Sequence, residues 1–172
     1  AGADQDSLSR HLDSAQGLVS ESLEEARNSI WNMRSHVLET HDLAGALKEI
    51  LKQMTDEMPV QAGLEVAGRT RRLAPVIENN VLRIGQEAIT NAARHAAARN
   101  LKVTLDFGAK QFRLSVQDDG KGFNPEHPLR SQGGFGLVGM KERAAELKGE
   151  LRITSKAGEG TKLDLIVPMA GA

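Results

Sequence analysis

Asp118-Asp119-Gly120-Lys121-Gly122-Phe123 closes an apolar, alternating run from Phe112 to Val116, and its reading decides the fold. The alternation predicts a strand over Gln111–Gln117. A carboxylate at the strand end and two glycines after it allow the backbone to turn tightly and come close to a ring or a phosphate. Upstream lies a helical segment carrying Glu87 and Asn91. Downstream, Gly133-Gly134-Phe135-Gly136-Leu137 leads into another helix. A lone Asp-Asp-Gly is an ordinary turn. Together with a polar helix face and a glycine-rich helix entrance, in this order, it forms the parts of a nucleotide site.

The remaining elements follow from periodicity and punctuation. Asp42 is an N-cap for a helix through about Met58, ended near Pro59. Val60 to Ala67 reads as a short strand, and Arg69 to Arg72 as a solvated basic cluster. A helix from about Pro75 to Ala98 precedes two strands, Leu101 to Phe107 and Gln111 to Gln117, joined at Gly108-Ala109-Lys110. Asn124 to Gly133 is polar, with Pro125 and Pro128, and reads as a mobile loop. Leu137 to Leu147 is a helix with Gly149 as its C-cap. The strands Glu150 to Ser155 and Thr161 to Val167 complete the chain. Short turns between neighbouring strands predict antiparallel pairing. The expected fold class is α+β: a two-layer sandwich, its mixed sheet covered on one face by helices.

Ahead of this domain, about Asp6 to Val37 reads as one long helix. Its narrow stripe of Leu12, Ala15, Val19, Ala26, Ile30, Met33 and Val37 suits a bundle seam. The expected organisation is therefore a helical segment over 1–40 and a globular domain over 41–172.

Composition removes several function classes. The chain has 172 residues and a net charge of −1, which argues against a general nucleic-acid binder. It has no cysteine, hence neither disulfides nor thiolate metal sites. No apolar run approaches the roughly 20 residues of a membrane span, and the first residues do not read as a signal peptide.

On the helix around Arg83 to Ala96, Val81, Ile84, Ala88 and Ala92 form an apolar stripe that can lie on the sheet. Glu87, Asn91, Arg94 and His95 share a neighbouring stripe. A carboxylate, an amide oxygen and cations on one face suit magnesium and phosphates, because magnesium takes hard oxygen ligands and keeps several waters. The bland explanation is a solvated helix face. Asp118, at a strand end, can accept a hydrogen bond from an exocyclic amine such as that of adenine. Gly134-Phe135-Gly136-Leu137 would offer backbone N–H groups to phosphate. Nothing fits the Walker pattern.

These segments resemble the GHKL ATPases, the superfamily of gyrase, MutL, the heat-shock chaperone and histidine kinases. Arg83 to Ala96 is similar to the N box, Asp118 to Phe123 to the G1 box, Gly134 to Met140 to the G2 box, and Gly158-Glu159-Gly160-Thr161 to the last glycine turn. Gln86-Glu87-Ala88 and Gly136 to Arg143 are similar to histidine kinases of the nitrate-sensor type. Glu25 to Arg34 is similar to the end of their second dimerisation helix.

The resemblance implies ATP and Mg2+ as cofactors. It gives Asp118 to the adenine amine, Asn91 to the metal, and Glu87 to the metal or to a water as catalytic base. Arg94 and His95 go to phosphates or ribose. Gly120, Gly122 and Phe123 line the base end, and Gly134, Phe135, Gly136 and Leu137 the phosphate end. Thr161 supports Asp118, and Asn124 to Gly133 forms a lid. It further implies phosphoryl transfer to a histidine of a dimerisation domain, a homodimer in the full-length protein, and a cognate response regulator. Nucleic acid and membrane contact are not expected, and a cytoplasmic location, beneath a membrane-anchored parent, is.

One departure is the acceptor. In such kinases the phosphorylated histidine is followed by an acidic residue on the first dimerisation helix, whereas His11 is followed by Leu12. The expectation is a partial hairpin plus a complete ATP-binding domain, unable to phosphorylate itself. Two alternatives are a serine kinase of the anti-sigma type and a nucleotide-responsive interaction module without catalysis.

Overall fold

The computed structural model describes residues 41–56, 58–124 and 134–169. The expected helix over 1–40 and nearly all of the expected lid lie outside them. Among the described residues there are three helices and five strands: α1 Leu43–Thr55, β1 Gln61–Gly68, α2 Pro75–His95, β2 Asn100–Phe107, β3 Gln111–Asp118, α3 Gly134–Glu146, β4 Glu150–Ser155 and β5 Thr161–Pro168. None of these helices is long and apolar enough to cross a membrane.

The sheet order is β1-β2-β3-β5-β4. β1 and β2 are parallel, with α2 in the crossover between them, and all other neighbours are antiparallel. This is the expected mixed sheet. α1 packs on β1 and α2, α2 lies over β2 and β3, and α3 packs on α2 and β4. The stripe Val81, Ile84, Ala88 and Ala92 is buried against the sheet, as its spacing predicts.

Cross-strand register organises the core into layers. Phe107, Phe112 and Val167 form one layer, and Leu105, Leu114, Leu165 and Leu151 the next. Val103, Val116, Leu163 and Ile153 form a third. The Phe107 and Phe112 rings meet edge to face at 5.1 Å. The same register continues through Leu101, Asp118, Thr161 and Ser155. Side chains on one sheet face recur every second residue, so this fourth row shares the apolar side yet is mostly polar. Three polar residues side by side at the end of a hydrophobic stack mark where the core stops and a site begins.

Several element ends differ from the sequence expectation. Asp42 is the N-cap of α1, accepting from the Gly45 N–H at 2.8 Å, but the helix stops at Thr55, before Met58. α2 ends at His95 because Ala97 turns left-handed, φ 50°, and the Ala96 carbonyl accepts from Lys121 N at 2.8 Å. The glycine run at Gly134 begins α3 rather than preceding it. At its far end Lys148, not Gly149, takes the left-handed conformation, φ 51°. Gly149 is needed there for space, since a Cβ would come within 2.8 Å of the Ile166 carbonyl oxygen.

The basic cluster is not merely solvated. Arg71 Nη2 donates to the Gly108 carbonyl at 2.8 Å, holding the β2–β3 turn. Arg72 pairs with buried Glu78 at 3.2 Å, and Glu78 also accepts from Leu73 N at 3.0 Å. Asn80 donates to Glu146 at 3.2 Å and so ties α2 to the last turn of α3.

Candidate nucleotide site

Asp118 is the final residue of β3 and only 7% exposed. Its Oδ1 accepts from Gly120 N at 2.9 Å, and the backbone N–H of Thr161 also donates to the carboxylate. Burial pushes its pKa up, those two hydrogen bonds oppose the rise, and the neighbouring Asp119 charge adds to it; the net direction is up. The fold thus holds an acceptor-rich group at some electrostatic cost, in the first polar row beyond the core.

Asp119, one residue on, behaves in the opposite way. Its Oδ1 accepts from the backbone N–H groups of Arg99 and Asn100, both at 2.8 Å, and its Oδ2 from Asn100 Nδ2 at 2.7 Å. The backbone and side-chain bonds from Asn100 hold its pKa below the usual carboxylate range. Asp119 therefore staples the entrance of β2 to the turn. Two adjacent carboxylates of identical type are divided by their neighbours into one that is tied up and one that faces the site.

The turn after them is locked to the β4–β5 connection. Gly158 N donates to the Lys121 carbonyl at 2.7 Å, and Phe123 N to Ser155 Oγ at 2.9 Å. Gly122 and Gly160 have φ of 58° and 78°, a region that side chains disfavour. A Cβ at Gly122 would clash with the Lys156 carbonyl oxygen, and one at Gly160 with that of Asp118. Gly120 approaches the Ala96 carbonyl as closely. These glycines let three backbone segments meet beside Asp118.

On α2, Asn91 Nδ2 donates to Glu87 Oε1 at 3.1 Å, which fixes the Asn91 amide and turns its oxygen away from Glu87. Arg94 and His95 lie one turn beyond, exposed. Gly136, in the first turn of α3, runs directly over the Glu87 carboxylate, and any Cβ there would collide with Glu87 Oε1. Gly136, near the beginning of α3, is thereby brought against Glu87 of α2. No cluster of three or more His, Cys, Asp or Glu able to hold a metal occurs among the described residues. The Asn91 oxygen, directed away from Glu87 by the hydrogen bond between them, is a hard donor that suits an ion completed by phosphates and water, and Glu87 would join it only by turning its second oxygen to the ion.

Glu87 and Asn91 therefore come together, as do Asp118, Gly120, Gly122, Phe123 and Thr161. Sequence reasoning missed Ser155 and Asp119. Ser155 carried no signal beyond its place at the end of a strand. Asp119 was readable only as half of a carboxylate pair.

This arrangement is that of a nucleotide-binding domain. The family model for the histidine kinase-, DNA gyrase B- and HSP90-like ATPases matches residues 77–171, and the chain belongs to this family. DegS of Brevibacillus brevis, a signal transduction histidine-protein kinase/phosphatase, is 32% identical over 88% of this chain and 39% of its own length. The sensor histidine kinase LiaS of Bacillus subtilis is 30% identical over 95% of this chain and 44% of its own length. The chain thus spans less than half of either relative. Among solved structures, full-length ShkA in complex with AMPPNP superposes with a TM-score of 0.64 at 22% identity, covering 77% of this chain and 31% of that one. The histidine kinase domain of a blue-light activated kinase from Erythrobacter litoralis EL346 gives 0.58 at 24% identity, over 73% of this chain and 60% of that one. Both share the fold.

Proposed function

We propose that this chain binds Mg-ATP and serves as the catalytic domain of a sensor histidine kinase. The carrying observation is the polar row across β3, β5 and β4, in which Asp118 is buried and hydrogen-bonded by Gly120 and Thr161. The Asp118 carboxylate accepts from the exocyclic amine of adenine. Gly120 and Gly122 bring the backbone close to the ring, with Phe123 beside it.

At the other end, Asn91 and Glu87 would hold Mg2+, which neutralises phosphate charge. Arg94 and His95 meet the phosphates or the ribose, and the glycine-rich start of α3 cradles the phosphate tail. Phosphoryl transfer of this kind depends on positioning and charge neutralisation more than on covalent chemistry by the protein. Glu87 is the candidate base or metal partner. The acceptor is a histidine on a dimerisation helix, in a homodimeric full-length protein. The phosphoryl group then passes to a response regulator on the cytoplasmic side. Residues 1–40 supply part of the dimerisation hairpin, and 41–172 the ATP-binding domain. The naming of the relatives as histidine kinases favours this over a serine kinase.

Titration calorimetry with ATP, with and without magnesium, tests the reading. Magnesium-strengthened binding that weakens on Asn91→Ala is expected. Absence of ATP binding in both conditions would overturn it.

A further inference from the structure

Ser155 is the outermost member of the polar row, and its hydroxyl is at the centre of three contacts. It accepts from Phe123 N at 2.9 Å, donates to the Gly160 carbonyl at 3.0 Å, and lies 3.0 Å from Thr161 Oγ1. A hydroxyl has one proton and two lone pairs. A carbonyl oxygen can only accept, so the single Ser155 proton goes to Gly160. The backbone N–H of Phe123 occupies one lone pair. The Thr161 contact must then use the other, with Thr161 as the donor.

We infer that Ser155 orders the Thr161 proton and is a specificity-determining positioning residue for the base. With its proton committed to Ser155, Thr161 Oγ1 has only lone pairs left to offer. Thr161 is the cross-strand neighbour of Asp118, on the same sheet face. The two residues therefore present acceptors alone, which favours a purine carrying an amine at its six-position over one carrying a carbonyl. Asp118 sets this preference, and Ser155 removes the rotational freedom by which Thr161 would relax it. The inference rests on the proposed adenine reading by Asp118.

The test compares equilibrium affinities for ATP and inosine triphosphate, whose six-position is a carbonyl. Wild type should prefer ATP. In Ser155→Ala the Thr161 hydroxyl can turn and donate to the carbonyl, so the preference should narrow about fivefold. Thr161→Val, which removes the acceptor directly, should narrow it as well. Ser155→Thr, which retains the hydroxyl, should restore the wild-type ratio. A merely structural Ser155 would weaken both nucleotides equally. An unchanged ratio in Ser155→Ala, or in Thr161→Val where the alanine variant does not fold, overturns the inference and leaves the adenine reading standing. A wild type without preference for ATP overturns the adenine reading itself, and this inference with it.

Discussion

Replacing Asp118 by Asn separates the binding role of this carboxylate from its structural role. The carboxylate accepts from Gly120 N at 2.9 Å and from Thr161 N. An asparagine keeps these bonds only by directing its oxygen to them, which turns its NH2 toward the adenine amine. A hydrogen bond to a charged acceptor contributes roughly 1.5–3 kcal/mol, and opposing two donors costs about 1–3 kcal/mol more. At about 1.4 kcal/mol per decade, the ATP dissociation constant should rise by on the order of a hundredfold or more. The free domain should respond differently. Burial raises the Asp118 pKa above its ordinary 3.8. A carboxylate with a raised folded pKa gives a contribution that is fully present below 3.8 and lost as pH rises through the folded value. Its ionised form therefore costs stability at neutral pH, and Asp118→Asn should melt at the wild-type temperature or above it. Titration calorimetry and nucleotide-free melting curves at pH 7 and pH 4 provide the assay. Unchanged ATP affinity would remove Asp118 from base recognition. So would a variant that loses affinity and melts several degrees lower, because the loss would then reflect misfolding.

Gly136→Ala should turn the Glu87 carboxylate aside, since its Cβ would overlap Glu87 Oε1 at the tip of a flexible side chain; ATP affinity should fall while adenosine affinity holds, and equal losses would argue against a phosphate-end effect. Asp119→Ala removes the acceptor for Arg99 N, Asn100 N and Asn100 Nδ2, so melting temperature should drop with ATP affinity nearly intact; the reverse pattern would exchange the roles assigned to the two aspartates. For Asp164, burial raises the pKa, but hydrogen bonds from Ser115 and Arg113 and the charges of Arg113 and Lys162 outweigh it, and the net direction is down. Its stabilisation is present above 3.8 and lost as pH falls through the lower folded value, so Asp164→Asn should flatten the acid limb of the stability curve; an unaltered limb would contradict this. With labelled ATP alone the chain should gain no acid-labile, alkali-stable label, and such a label on His11 would show that the acceptor is present after all.

The β2–β3 hairpin was legible because Leu101 to Phe107 and Phe112 to Val116 alternate cleanly, and an alternating strand has one way to bury its apolar face. The parallel pairing of β1 with β2 was not, since the exposed residues of β1 give no strong pattern and the crossover through α2 is a tertiary choice. Helix ends were misread where packing overrides local preference. Ala97 and Lys148 adopt the left-handed conformation expected of glycine, with the Gly120–Lys121 turn packed on the end of α2 and Gly149 pressed against β5. Within the site, Glu87, Asn91 and Asp118 announced themselves through residue type and spacing. Ser155 and Asp119 did not, because their importance lies in which backbone groups the fold brings to them.

Nucleotide binding at Asp118 is tested most directly by a crystal structure of this chain with magnesium and a non-hydrolysable ATP analogue. The adenine amine should lie within hydrogen-bond reach of Asp118, and the divalent ion near Asn91 with the phosphates under the start of α3. A base bound elsewhere, with Asp118 facing only water, would contradict it.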